Sequence, residues 1–260
     1  MRRFRLCQLM KSSCVPERCG AFDKLRSMHI GTLKGLTLRA TRHAPPRQVE
    51  CADAVTQRGL LDDAHADRLS PRQVLIASAG VYAELGLPPH ALRENLLVDV
   101  DGAGLAGLPS GTVLRVGDDV LLRLMFQCEA CGSLDAFRPG LARTLGERRG
   151  VLARVIAGGT LRPGDPIHDL GPLLDAWSDD WRERVLAVLD ALPAGWVIEY
   201  RELARLAGVQ STYCRAFPRM LRKLGPDYAG LAVASGDPVT APRWKGEGLF
   251  DHPPILRAVS

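Results

Sequence analysis

The chain has 260 residues, 46% of them apolar, enough to bury a full core and long enough for two modest domains, which is the expectation here. The net charge of +5 suggests a nucleic-acid partner, but residues 1–27 alone carry seven Lys or Arg against Glu17 and Asp23. The rest of the chain is therefore neutral, which excludes a uniformly basic surface as the reason for its high isoelectric point.

The leader, MRRFRLCQLMKSSCVPERCGAFDKLRS, has no long apolar run, so it fits neither a signal peptide nor a membrane span. It reads either as a transit peptide or as sequence upstream of a true start at Met28, and the second reading is preferred. The cysteines number seven, an odd count scattered along a chain that does not need staples, which predicts reduced thiols in a cytoplasmic protein.

From residue 28 to about 168, short runs rich in Val, Leu and Ile alternate with Gly, Pro and Asp turns: RQVLIAS, ENLLVDV, GTVLRVGDDVLLRLMF, RGVLARVIAGGTLRPGD. That texture predicts the strands of a barrel or sandwich, interrupted by one helix, SAGVYAELGL, capped by Ser78 and stopped at Gly86. After His168, DLGPLLDAWSDD reads as a connector, and Asp180 with Glu183 forms a capping-box pattern. Trp181, Val185, Val188, Leu189 and Leu192 then fall on one helix face. WVIEY reads as a short strand, and RELARLAG and STYCRAFPRMLRKLG as two helices of a helix-turn-helix, the second kinked at Pro218. The expected fold class is α+β: a distorted β-barrel over residues 28–170, followed by a small winged helix-turn-helix-like domain over 171–260.

At the end of the run VLLRLMFQ stand Cys128 and Cys131, in FQCEACGSLD. Zinc needs four ligands, and the chain has no second CxxC and no HxxxH. A redox pair wants a helix directly behind the first thiol, and Gly132-Ser133-Leu134-Asp135 opens a helix poorly. Two further readings stay open: both thiols as buried filling, or one working thiolate with a bystander. Gln127, Glu129, Ser133, Asp135 and the Arg148-Arg149 pair favour the last. On residues alone, His65 reads as a turn histidine, Arg93-Glu94 as a surface ion pair and Asn95 as a turn former.

The segments GLLDDAHADRLSPRQVLIAS, LRENLLVD, LPSGTVLRVGDDVLLRLMFQCEACGSL and GERRGVLARVIAGGTLRPGDPI, in this order, resemble the MOSC domain, named after the C-terminal domain of molybdenum cofactor sulfurases. The resemblance implies a distorted β-barrel in which Cys131 is the functional thiol, carrying sulfur as a persulfide or ligating molybdenum, with Cys128 secondary. It further implies a molybdenum-cofactor pocket lined by Asp63, His65, Arg72, Gln73, Arg93, Glu94, Asn95 and Arg149. Some members reduce N-hydroxylated compounds. The chain departs from the family at Asp62 and Asp67, where Gly is common. No pyridoxal-phosphate domain is expected, so the resemblance implies sulfur or electrons from a partner, a cysteine desulfurase or an electron-donor protein.

Residues 178 to about 255 resemble the helical DNA-binding half of the alkylguanine-DNA alkyltransferases, through DDWRERVLAVLDALPAGWVIEYRELARLAGVQSTYCRAFPRML. Tyr200 and Arg215 fall where that family contacts DNA, Arg215 with a one-residue offset. The Pro-Cys-His-Arg signature is replaced by YAGLAVASGDPV, so alkyl transfer is not expected. Arg215, Arg219 and Arg222 are expected on one helix face, suited to phosphate contacts or simply to solvent. Two functions follow: a cofactor-binding or sulfur-carrying barrel, or a non-catalytic DNA-binding protein with the barrel as scaffold or sensor.

Overall fold

The computed structural model describes residues 27–100 and 104–250; all of the basic leader but Ser27 lies outside them. Strands β1 (Met28–Leu38), β2 (Arg47–Val49), β3 (Ala52–Val55), β4 (Gly59–Leu60) and β5 (Val74–Ser78) lead into helix α1 (Ala79–Leu85). Strands β6 (Leu96–Val100), β7 (Thr112–Val116) and β8 (Val120–Gln127), helix α2 (Leu141–Leu145), and strands β9 (Val151–Ala157), β10 (Gly159–Leu161) and β11 (Pro166–Pro172) follow.

Seven strands close into a barrel in the order β11-β7-β8-β9-β5-β6-β1, because β1 pairs back with β11. Closure leaves none of the seven with a bare edge along its whole length, which removes the usual template for edge-to-edge association. Strand β1 serves both neighbours by slipping register twice, between His29 and Gly31 against β11 and between Leu33 and Gly35 against β6. A Cβ on Gly31 would fall 1.8 Å from the Asp99 carbonyl oxygen, so only glycine allows the two backbones to approach this closely. Leu33, Leu36, Val74, Ile76, Leu96, Val98, Leu114, Leu122, Leu124, Val151 and Val155 fill the interior. A second cluster, Leu75, Met125, Phe126, Cys128 and Leu152, takes in Trp177 and Phe250 from the C-terminal part of the chain. That double burial is why VLLRLMFQ reads as one continuous apolar run instead of alternating.

The helical region contains α3 (Trp181–Asp190), β12 (Val197–Glu199), α4 (Tyr200–Leu206), α5 (Phe217–Leu224), α6 (Pro226–Ala229), β13 (Ala232–Val233) and β14 (Arg243–Trp244). Its core joins Val185, Val188, Leu189, Ile198, Leu203, Leu206, Phe217, Leu221 and Trp244. Strand β12 is the middle of a small parallel sheet between β13 and β14.

Helix α1 has the caps expected of it, with Ser78 accepting from Gly80 N and Gly86 in the left-handed conformation. At α3, Asp180 accepts from Arg182 N, but the reciprocal half of a capping box is absent: Asp180 N donates to Ser178 Oγ at 3.1 Å in place of Glu183. The expected kinked helix over 211–225 is corrected as well. Residues Ser211–Ala216 form a 3-10 turn, and Pro218 lies in the first turn of α5, where a missing N–H costs nothing. Arg215 therefore belongs to the 3-10 turn and does not share α5 with Arg219 and Arg222.

Candidate functional site around Cys131

Strand β8 ends at Gln127, and the chain then passes Cys128 and Cys131 before a 3-10 turn over Gly132–Ala136, with Cys131 at its uncapped N-terminus. The two thiols have different surroundings. Cys128 is 1% exposed, its N–H donates to Gly150 O, and its sulfur sits in the apolar cluster with Phe126 and Leu152. Cys131 is half-buried, and Arg149 Nη1 lies 3.5 Å from its sulfur. A guanidinium at that distance favours the thiolate, the form that attacks and ligates.

Arg149 sits at the end of a 3-10 turn just before β9, and its Nη1 also donates to Glu129 O at 2.8 Å, which ties the arginine to the loop that carries the thiol. Its Nε is buried with no hydrogen-bond partner among the described residues. The same holds for Nε of Arg39, at the exit of β1. Burial lowers the pKa of Arg39, the Asp63 carboxylate opposes this, and the charges of Arg93 and Arg149 add to the lowering. The charges of Arg93 and Arg149 and the Asp63 carboxylate thus act on Arg39 together.

Asp63 is the hub of the second half of the site. Its Oδ2 accepts from Arg39 N at 2.9 Å and from Asn95 Nδ2 at 3.0 Å, and its Oδ1 accepts from His65 N at 2.9 Å. His65 Nδ1 lies 3.1 Å from the same Oδ1 and 3.2 Å from Arg39 Nη2. One nitrogen cannot both donate and accept; the ionised carboxylate is the stronger partner, so Nδ1–H points to Asp63 and Nε2 keeps its lone pair. Burial alone would raise the Asp63 carboxyl, but the hydrogen bonds from the His65 ring, His65 N and Arg39 N outweigh it and hold it below the usual range. Burial pushes His65 downward, against the pull of Asp63 and with the help of Arg39, so the ring is neutral near pH 7.

The remaining expected pocket residues divide by what their polar atoms already do. Asn95, 1% exposed, is no turn former: Oδ1 accepts from Leu75 N, while Nδ2 reaches Thr37 O and Asp63. Gln73 is fully buried, with Nε2 donating to Gln57 O and Asp67 O and Oε1 accepting from Val155 N. Glu94 is not half of a surface ion pair with Arg93. It is 1% exposed and accepts from Tyr82 Oη at 2.6 Å, and burial and that carboxylate push the Tyr82 phenol upward. Arg93, in the left-handed region at φ 60°, turns its Nη2 to the carbonyls of Arg42 and Ala44. Arg72 faces away from this cluster, with Nη1 on Gly208 O at 3.0 Å and Nη2 3.8 Å from the Cys128 sulfur. Asp62 has φ 63°, the conformation glycine holds without strain and Asp tolerates, which accounts for one departure from the family pattern.

Arg39 and Tyr82 are the site residues that sequence reasoning missed. Neither lies in a motif, and Arg39 meets Asp63 across 24 residues because it leaves β1 two residues past Thr37, which is bonded to Asn95, itself a donor to Asp63. A cavity of about 220 Å³ opens beside Arg58, Leu61, Asp62 and Asp63, but neither Cys131 nor Arg149 lines it. Among the described residues, no group of three or more His, Cys, Asp or Glu side chains is placed to hold a metal ion, and no helix is long and apolar enough to cross a membrane.

The DNA contacts expected of the helical region are placed less uniformly. Arg215, Arg219 and Arg222 are exposed, whereas Tyr200 is half-buried and packs its ring 6.2 Å from Phe217. Arg205, one of the basic residues between 201 and 223, is drawn into ion pairs with Asp67 and Glu202.

Seven strands close into the barrel, and residues 64–168, most of that barrel, match the family model of the MOSC domain. The matched stretch begins after β1, the strand that closes the barrel. Among solved structures, the chain is similar to the YUAD protein from Bacillus subtilis, at 21% identity over 56% of this chain and 98% of that one, with a TM-score of 0.49. It is also similar to YiiM from Geobacillus stearothermophilus, at 14% identity over 75% and 99% of the chains (TM-score 0.44), and to YiiM from Escherichia coli, at 20% over 78% and 99% (TM-score 0.43). Comparison with curated proteins gives no match. None of these findings carries the resemblance of residues 178–255 to the alkyltransferases.

Proposed function

We propose that the barrel binds molybdenum cofactor or carries sulfur, with Cys131 as the working thiolate. The observation that carries this reading is the 3.5 Å approach of Arg149 Nη1 to a half-buried Cys131 sulfur, beside a Cys128 that is packed away. The donor set suits an anionic group bearing a soft metal: Cys131 offers sulfur, and Arg39, Arg93 and Arg149 offer positive charge, with the Nε–H groups of Arg39 and Arg149 buried and unpartnered among the described residues. His65 Nε2 adds a neutral acceptor held in place by Asp63.

As a sulfur carrier, the Cys131 thiolate attacks the terminal sulfur of a donor's persulfide. The donor leaves as its own thiolate and Cys131 keeps the sulfane sulfur, so no outside oxidant is needed. The fitting donor is a cysteine desulfurase. When bound, the cofactor would supply two-electron chemistry, and reduction of an N-hydroxylated compound to the amine and water would draw its electrons from a donor protein. Incubation with a cysteine desulfurase and cysteine, followed by intact-mass and peptide measurement, tests the first branch: one added sulfur on Cys131 supports it, and sulfur on other cysteines only sinks it.

The second reading is DNA binding through the helical region. It is favoured by α5, which buries Phe217 and Leu221 and exposes Arg219, Arg222 and Lys223, with Arg215 exposed in the turn before it. Affinity for duplex DNA should then fall with salt and fall further in Arg219→Ala; absence of binding at low salt removes the reading.

A further inference from the structure

The thiol loop is not held by the barrel alone. Gln127 N, the last amide of β8, donates to Asp179 Oδ1 at 2.6 Å, just ahead of α3. One residue earlier, the Phe126 ring carries the guanidinium of Arg184 from α3, with Cζ 3.7 Å from the ring centroid. Arg184 is 2% exposed, and it donates through Nε to Ala207 O and through Nη1 to Ser178 O and Asp179 O. It therefore fixes the connector, α3 and the end of α4 around the residue that ends two positions before Cys128. Burial pulls its pKa down to about 10, and the Glu129 carboxylate, inside the thiol loop, opposes that shift. On the other side, Gly208 is wedged so tightly that a Cβ there would lie 2.5 Å from Phe126 Cζ and 2.8 Å from Pro71 Cγ.

From this we infer that the helical region is a wall of the thiol site, and that Arg184 and Asp179 are positioning residues that hold the segment Phe126–Cys131. The role assigned to Cys131 rests on the reading of the preceding section; the anchoring of its loop does not. A region serving only as a separate DNA-binding module has no need of a buried arginine stacked on the strand that delivers the thiol. The contact is costly to bury, and its satisfied fork on three carbonyls together with the aromatic ring is what offsets that cost.

The test uses the full chain with Arg184→Met, Arg184→Lys and Asp179→Ala. Two quantities are read by peptide mass spectrometry: amide exchange over residues 126–136, and the rate of iodoacetamide labelling of Cys131 relative to Cys51 in the same molecule. Arg184→Met and Asp179→Ala should speed exchange at 126–132 and move the Cys131:Cys51 ratio roughly threefold or more. Arg184→Lys, which keeps a charge over the ring, should recover part of the effect. If Arg184→Met unfolds α3, Asp179→Ala, an exposed side chain, decides the matter. Wild-type exchange and labelling ratio in every folded variant would overturn the inference. Sulfur uptake is a separate readout, so a Cys131 that never takes up sulfur defeats the functional reading and leaves this one standing.

Discussion

Arg149 and Cys131 are coupled through one nitrogen: Nη1 donates to the Glu129 carbonyl at 2.8 Å and reaches the Cys131 sulfur at 3.5 Å. The carbonyl contact aims the guanidinium, and the charge then acts on the thiol two residues further along. Removing the charge should therefore slow Cys131 without freeing Cys128, whose sulfur has Arg72 Nη2 beside it at 3.8 Å. Arg149→Met should lower the iodoacetamide rate of Cys131 about three- to tenfold at neutral pH, and Arg149→Lys by less. Rates corrected for the folded fraction check this; equal rates in wild type and Arg149→Met would show that the contact has no electrostatic effect.

Acid should attack the Asp63–His65 pair. Both groups have folded pKa values below their ordinary values of 3.8 and 6.5, so for each the unfolded chain takes up its proton at the higher pH. Stability is then present above the ordinary value and is lost as pH falls, beginning near 6.5 for His65 and near 3.8 for Asp63. Thermal melts from pH 8 to pH 4 should show a decline below about 6.5 that is smaller in His65→Gln. A flat profile in the wild type would contradict the assignment.

Gln73 was expected in the cofactor pocket, yet all of its amide is engaged by Gln57, Asp67 and Val155. Gln73→Leu leaves the two carbonyls and one N–H without that partner in a fully buried place, at a cost of about 2–4 kcal/mol. Denaturant unfolding should show the loss. A variant of unchanged stability that no longer retains ligand would return Gln73 to the pocket.

Gly208 has φ 66°, and a methyl group there meets Phe126 and Pro71. Gly208→Ala should cost about 1–3 kcal/mol and loosen α4 from the barrel. Faster proteolysis within residues 171–224 than in the wild type is the expected sign, and an unchanged cleavage rate speaks against the wedge.

Much of the barrel was legible because its strands are short apolar runs closed by Gly and Asp turns, and α1 because Ser78 and Gly86 mark its ends. The closure by β1 was not, since pairing with both β6 and β11 depends on register slips at Gly31 and Gly35 that no periodicity reveals. The Asp63–His65 turn was visible as a motif, whereas Arg39, which completes it, stands in LTLRA with nothing to mark it. In the helical region the composition could not say which arginines are buried. Arg184 and Arg219 look alike in sequence, but the fold stacks one on Phe126 and leaves the other in solvent. Pro218 looks like a kink only if the helix begins at Ser211; it begins six residues later, at Phe217, and nothing in the composition marks that start.

The most direct measurement is the molybdenum, pterin and sulfane-sulfur content of the chain purified from a cofactor-producing host, with Cys131→Ala and Cys128→Ala beside the wild type. Wild type and Cys128→Ala are expected to carry cofactor or sulfur, and Cys131→Ala to have lost it. Equal loading in Cys131→Ala and wild type, or no loading in any of the three, would contradict the assignment of Cys131 as the working thiolate.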